Sequence, residues 1–485
     1  MAISYIGGHN TDNFTPAFNQ VNYYFDSTSK SFKGFRYVVD LYVSGTSTKI
    51  WEGRAVPRIG DGYGFVPLSA ILSKKVSFEN DITTDTLAAS KSYFKFDLKI
   101  GEEYVYEWSY TNYSQYTGGG TFNGYTQLTS ATAHGLLVGD QINVSQTDGG
   151  VIKPMLQGLF TIVAIPNTTT IVIDITWLLV GSGSTMGGKV SYADNRKTIT
   201  RNLYTSTATV YNGALNAQDF LIGSNVFKID GTIDSRRLLT SLPYTGMRLK
   251  LSELMFLNVG NFYTTAALYV WFQNDQGNTF RKSLNASTAT AIMRASAGPG
   301  NLGALTTITG TAPLIKPTTK WYEVYIGASS AFPMSAKYRI EIDRRCTIED
   351  VELLFVDRLG SILPFAFQLR KSIQVTAEKD RFNKQLGNLD GELNKWTYGL
   401  TDGGLTQISP TMEERLILRS NFITNEQSQL FKELLTSPFV VMKLNSVWQR
   451  VEVMDTSAEL PETKNKRLIR KQIQVRFANQ TPVNA

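Results

Sequence analysis

The sequence predicts a mainly β, multidomain protein: antiparallel β-sandwiches or barrels in one chain, a small inserted β-module, and one or two short helices. Three observations lead there. Apolar and polar residues alternate with period two over many short stretches, as half-buried strands require. Aromatics are abundant, with Tyr 23, Phe 26 and Trp 7 beside 39 glycines, a mixture that favours strands and turns. The chain has 485 residues, more than one hydrophobic core organises, so it divides into domains.

Residues 1–110 read as an N-terminal β domain. In "FRYVVDLYVSG", Phe35, Tyr37, Val39, Leu41 and Val43 share one strand face, and Arg36, Asp40 and Ser44 take the wet face. The same alternation at Phe94, Phe96, Leu98 and Ile100 resumes after "GEE" at Tyr104, Tyr106, Trp108 and Tyr110, which predicts a hairpin turning at that tripeptide. Residues 111–192 shift to Gly, Thr and Ser around the short strands "TQLTSA", "DQINVS", "GLFTIVAI" and "TTIVIDI", an inserted small β-module.

Residues 193–360 read as a β-sandwich. "YTTAALYVWFQNDQGNTFRKSL" is two strands around a turn at Asn274–Asn278, and "KWYEVYIG" and "KYRIEID" follow as further strands, with Tyr338, Ile340 and Ile342 inward and Arg339, Glu341 and Asp343 outward. Residues 361–485 form a C-terminal β domain with one helix at about 425–436: Thr424 and Gln427 make a capping box, Leu430, Phe431, Leu434 and Leu435 form one stripe, and Pro438 stops it. "LNSVWQRVEVM" and "RKQIQVRFA" complete the domain as strands.

The residues offer little for chemistry. Cys346 is the only cysteine, which excludes an intrachain disulfide, and with only His9 and His134 no Cys/His metal cluster can be assembled. Gly183 to Lys189 fits the spacing of a phosphate-binding loop. Val190 stands where a hydroxyl is needed, however, and "VSYADNRKTIT" is no helix to follow it, so the stretch reads as a glycine linker. His9 lies in an N-terminal tail, and His134 in "TAHGLLVGD" reads as a backbone-bonded surface residue. The paired acids Glu102/Glu103, Glu413/Glu414 and Asp81/Asp85 read as solvated turns or helix ends, and "NDQGN" as a hairpin turn without the spaced acids of a calcium loop. The expectation is a protein with no catalytic, cofactor-binding or metal-binding residues and no cofactor.

Net charge is +7, and the basic residues are densest in "KNKRLIRKQIQVRF", with Lys464, Lys466, Arg467, Arg470, Lys471 and Arg476. Alternation sets Ile469, Ile473, Val475 and Phe477 inward and Arg470, Gln472, Gln474 and Arg476 outward. The run is therefore either the wet face of a closing strand or a surface for a polyanionic partner such as DNA in a channel. The N-terminus has neither a basic nor an apolar signal segment, and no stretch has the apolar length to cross a bilayer, so the expectation is a soluble chain made in a cytoplasm, without membrane.

Two segments carry a resemblance. His134-Gly135-Leu136, Gly139-Asp140, Gly158 and Thr161-Ile162-Val163 resemble, in order, a small β-domain of tailed-bacteriophage tail and baseplate proteins, with the glycines serving turns and Asp140 the turn's amides. The stretch from Tyr338 through Cys346, the strand and turn at Phe355–Gly360, and Phe365 and Phe367 is similar to virion proteins of phages infecting Bacteroidota, including crAss-like podoviruses. This chain departs from that pattern with Asp357 in place of Asn and a single glycine.

The resemblance implies a non-enzymatic virion structural protein of the tail, neck or baseplate, assembled in the host cytoplasm. It implies a homo-oligomer in a closed ring of six or twelve copies around the DNA-ejection channel, joined to neighbouring tail or neck proteins and with genomic DNA as a candidate partner. The alternatives are a receptor- or glycan-binding fibre or adhesin, using Trp51, Trp108 and Trp271, and a glycan-cleaving enzyme working with two carboxylates.

Overall fold

The computed structural model describes residues 3–7, 14–146, 156–177, 187–194, 197–216, 219, 224–231, 235–263, 267–284, 291–302, 313–330, 332–347, 349–392, 394–399, 401, 403–455 and 469–478. The chain is mainly β, with several antiparallel sheets and few short helices. It forms two compact units. The first takes Met1–Asn13, Gln20–Ser69 and Lys95–Ala208, and the second takes Phe14–Asn19, Ala70–Phe94 and Thr209–Ala485.

In the first unit, Arg36–Val43 pairs with Lys49–Ala55 on one side and with the long strand Tyr93–Val105 on the other. Tyr37, Val39 and Leu41 are fully buried with Phe96, Leu98 and Ile100, as alternation predicts. The hairpin predicted at "GEE" does not form, because Tyr93–Val105 runs straight through it. Glu102 and Glu103 are buried rather than solvated, and each has partners that keep the strand extended. Ser27 Oγ donates to Glu102, and Arg54 Nε and Lys197 Nζ donate to Glu103 at 2.8 and 2.9 Å. Asp40, expected on the wet face, is likewise buried between Lys49 at 2.9 Å and Arg201 at 2.5 Å.

Glu107–Tyr110 instead joins a seven-stranded sheet, in the order Asn112–Gln115, Tyr125–Thr129, Thr170–Thr176, Gly158–Asn167, Gln141–Gln146, Gly188–Tyr192, Glu107–Tyr110. Its core includes Trp108, Tyr110, Leu128, Ile142, Ile162, Ile171 and Val190. Asp140 closes its turn by accepting the Leu137 N–H at 2.7 Å, and Gly139 supplies the required φ of 89°. His134 is not on the surface. It is buried with Nδ1 accepting the Leu136 N–H at 3.0 Å and Nε2 facing the Asn167 carbonyl at 3.0 Å, so both ring nitrogens serve backbone.

In the second unit a sheet of eleven strands faces one of six. The larger runs Ser372–Asn383, Leu405–Arg419, Gln472–Phe477, Val447–Val453, Val440–Leu444, Val351–Val356, Ile362–Phe367, Phe256–Asn261, Ile292–Ser296, Thr86–Ala88, with Lys228–Ile229 beside Phe256–Asn261. The smaller is built on Met247–Leu249, Tyr338–Ile342, Trp321–Ser329, Tyr269–Asn274 and Thr279–Ser283, with Phe332–Pro333 beside Trp321–Ser329. One apolar cluster joins them, with Val270, Phe272, Val324 and Ile340 from the smaller sheet and Leu257, Leu353, Phe355, Leu363, Ile473 and Val475 from the larger.

The helix Asn425–Thr436 adds Leu430, Phe431 and Leu434 to that cluster. Its predicted capping box is present, with the Gln427 N–H on Thr424 Oγ1 at 3.2 Å and the Thr424 N–H on Gln427 Oε1 at 3.3 Å. Asn274–Asn278 is a hairpin turn, Asn274 Oδ1 accepting the N–H groups of Gln276 and Asn278. Asp357 folds the next turn by accepting from Leu359 and Ser361 N–H at 2.9 Å each, with Gly360 at φ 90°.

Candidate functional site: an arm and the basic cleft at its root

Ser372–Asn383 and Leu405–Arg419 pair antiparallel from Ser372 opposite Ile417 to Asn383 opposite Leu405. Only Leu416–Arg419 pair onward, with Gln472–Val475; among the described residues the rest of the ribbon has no third strand. A second small hairpin lies at its far end, with Asn388–Asp390 on Lys395–Thr397 and Leu389 opposite Trp396, whose indole N–H donates to the Leu386 carbonyl at 2.7 Å. The result is an arm, a two-stranded ribbon extending past its sheet.

The arm exposes apolar side chains among its polar ones, such as Arg381, Lys384 and Lys395. Ile373, Val375, Phe382, Leu386 and Leu405 are exposed, and at the tip Leu389, Trp396 and Tyr398 are 64%, 51% and 67% exposed. Large apolar side chains facing water on a ribbon with no third strand among the described residues are the feature of this unit that burial in its own core does not explain. The sequence reading placed its aromatic candidates elsewhere: Trp108 and Trp271 are buried and Trp51 is half-buried. The signal that could have found the tip is "LGNLDGELNKWTYG", large apolar residues set singly among turn formers.

At the root, a cleft of about 520 Å³ is lined by Glu349, Arg370, Lys371, Ser372, Ile373 and Arg419. Lys371 Nζ lies 2.6 Å from Glu349 and holds that carboxyl below its ordinary range. Among the described residues Arg419 donates to neutral acceptors: Gln472 Oε1 at 3.1 Å, Ser372 Oγ at 3.2 Å and the Arg370 carbonyl at 3.5 Å.

Of the six basic residues of the run, Lys464, Lys466 and Arg467 lie outside the described residues, and Lys471 is buried with its Nζ 5.4 Å from the Phe431 ring centroid. Arg476 is committed to Glu452 at 2.6 Å and Glu413 at 3.3 Å. Arg470 is exposed and lies over the Phe422 ring, 4.1 Å from its centroid. The strand Gln472–Phe477 is not the closing strand expected but lies inside the larger sheet, between Leu405–Arg419 and Val447–Val453, with Ile473 and Val475 fully buried as alternation predicts.

Other charged residues that the sequence singled out lie elsewhere. Lys189, at the end of the phosphate-loop-like stretch, sits in a strand and pairs with Glu107 at 3.0 Å; Gly183–Met186 and His9 lie outside the described residues. Glu413 lies in a strand and is held below its ordinary range by Arg415, with Arg476 adding to it. Glu253 and Asp343 line one cavity of about 20 Å³. Burial raises Glu253 to about 8, while Asp343 is lowered to about 2, burial being opposed and outweighed by its bonds to Arg345. Such splitting is what acid–base catalysis uses, but the space holds about one water and no sugar ring. Cys346 is exposed, and among the described residues no three His, Cys, Asp or Glu are placed to hold a metal ion. No described helix is long and apolar enough to cross a membrane.

No protein-family model matches the sequence, and no curated protein matches it. Among solved structures the chain is similar to a phage phi92 endosialidase at 10% identity and TM-score 0.13, covering 97% of this chain and 67% of that one. It is also similar to the S-layer protein rSbsC(31-844) at 10% identity and TM-score 0.17, covering 96% and 67%. Scores this low carry no argument about function, which has to come from this chain's own residues.

Proposed function

We propose that the chain is a non-enzymatic structural subunit of a phage virion, in the tail, neck or baseplate, which closes into a homo-oligomeric ring around the DNA-ejection channel and bridges neighbouring virion proteins. One observation carries the self-association: the Ser372–Arg419 arm presents Leu389, Trp396 and Tyr398 to water at the end of a ribbon with no third strand among the described residues. A second copy of the chain covers that surface in this reading, and ring closure removes the open edges of the ribbon. The phage context is supported by the His134–Val163 pattern, whose glycines and Asp140 make the turns expected of the tail-associated β-domain.

The test is the mass of the full chain in solution, by analytical ultracentrifugation, against a variant in which residues 377–412 are replaced by Asn-Gly. That turn joins the cross-strand partners Thr376 and Glu413. The native chain is expected as a closed oligomer of fixed stoichiometry and the variant as a monomer with an unchanged melting temperature. A native chain that stays monomeric at tens of micromolar overturns the reading.

The exposed Trp396 and Tyr398 also favour a second reading, an adhesin whose aromatic tip stacks on host glycans. Binding of the arm-deleted variant to host cells as strongly as the native chain removes it.

A further inference from the structure

We propose that the cleft at the root of the arm binds the phosphate backbone of nucleic acid. The inference rests on the reading of the chain as a subunit around a DNA channel and names where it meets the DNA.

The cleft gathers three cations, Arg370, Lys371 and Arg419, against one carboxylate, Glu349, which Lys371 already engages. Among the described residues, the guanidinium of Arg419 is fixed by Gln472 and Ser372 yet meets no carboxylate, and Arg370 is exposed and makes no side-chain hydrogen bond. Gln472, which holds Arg419, follows by two residues the exposed Arg470, which has no carboxylate partner among the described residues. Their neighbours in the same sheet are different: Arg415 is paired with Glu413, and Arg476 with Glu413 and Glu452. Among the described residues, cations without a carboxylate are thus gathered at the arm's root, while those beside it are paired.

A planar guanidinium, held at one end by neutral acceptors and open at the other, suits a phosphate oxygen. The recess is open to solvent, and side chains from Glu349, the 370–373 segment and Arg419 are spread along it. That spread fits successive phosphates of a polymer better than a single anion. The cleft also stays in place when the arm is removed, since residues 370–376 and 413–419 are retained.

The experiment measures anisotropy of a short fluorescein-labelled duplex DNA with the full chain at about 50 and 200 mM salt. Four proteins are compared: the native chain, Arg370→Gln, the double variant Arg370→Gln/Arg419→Gln, and Arg281→Gln as a control on the smaller sheet. The native chain and the control are expected to bind, and to lose about tenfold or more in affinity across that salt range. The single variant weakens binding at low salt, and the double variant weakens it about tenfold or more and lowers the salt slope by about two, one per lost contact.

Melting temperatures of the variants are read alongside, and the exposed Arg370→Gln change carries the test if Arg419→Gln disturbs folding. The arm-deleted monomer is expected to keep weaker, salt-dependent binding, which separates failure of the cleft from failure of ring formation. No retention of duplex at low salt, native-like binding by the double variant, or displacement of the duplex by millimolar inorganic phosphate at matched ionic strength overturns the proposal.

Discussion

Gly101 lies where a Cβ would stand 2.2 Å from the Thr200 carbonyl oxygen, and the carboxylates that follow it, Glu102 and Glu103, are buried against Ser27, Arg54 and Lys197. The glycine is there for close approach of backbone rather than for a turn, since its φ is not positive. Gly101→Ala is therefore expected to lower stability by about 1–3 kcal/mol, read as a lower denaturant midpoint of the full chain. An unchanged midpoint would mean the two strands separate freely.

Glu253 gives a pH signature at the same scale. Burial is the largest cause of its rise from an ordinary 4.5 to about 8. Between those values the folded chain holds a proton that the unfolded chain has released, so stability falls as pH rises from about 4.5 to 8 and is greatest on the acid side. Glu253→Gln keeps an acceptor for the Lys250 N–H, which the carboxylate now takes at 2.5 Å. The variant is expected to flatten this slope and to melt higher than the native chain at pH 9, in paired thermal scans from pH 4 to 9. A native slope of opposite sign rejects the assignment.

At the scale of elements, legibility follows the range of the deciding contacts. The helix Asn425–Thr436 was readable because its cap, its stripe and its stop lie within fifteen residues of sequence and agree with one another. The Asn274–Asn278 hairpin was readable for the same reason. The supposed turn at "GEE" was not, because Arg54 and Lys197, which satisfy Glu103, are 49 and 94 positions away. The arm was legible as strands and invisible as an arm, because the lack of a third strand is a property of the sheet and leaves no mark on period-two alternation. Of the basic run, sequence set which side chains leave the core; which of them lose their charge to Glu413 and Glu452 is tertiary. Since the helix end is local, Thr424→Ala should cost about 1 kcal/mol, measured by denaturation of the full chain, with secondary structure otherwise unchanged. A neutral effect would mean that Gln427 alone holds the first turn.

At the scale of the whole molecule, the chain passes back and forth between its two compact units instead of completing one before starting the next. Phe14–Asn19 and Ala70–Phe94 belong to the second unit, though each lies between stretches of the first. Both segments are built into the second unit's core. Phe14 is fully buried and stacks on Tyr211, with ring centroids 4.5 Å apart, Ala89 is buried in the same cluster, and Thr86–Ala88 is the last strand of the larger sheet. A fragment of residues 209–485 holds most of that unit by length and lacks these pieces. Removing Phe14 alone leaves a cavity of aromatic size among Tyr211, Phe227 and Leu239, a loss of about 3–5 kcal/mol for truncations of that kind. Loss of the edge strand uncovers the backbone of Ile292–Ser296 as a template for pairing with other chains. The fragment is expected to aggregate when expressed alone, while the full chain does not, as size-exclusion chromatography of the two soluble fractions would read. A 209–485 fragment that elutes as a folded species with a cooperative melt would show that the early segments are ornaments on a core able to form without them, and the interleaved order would then carry no folding requirement.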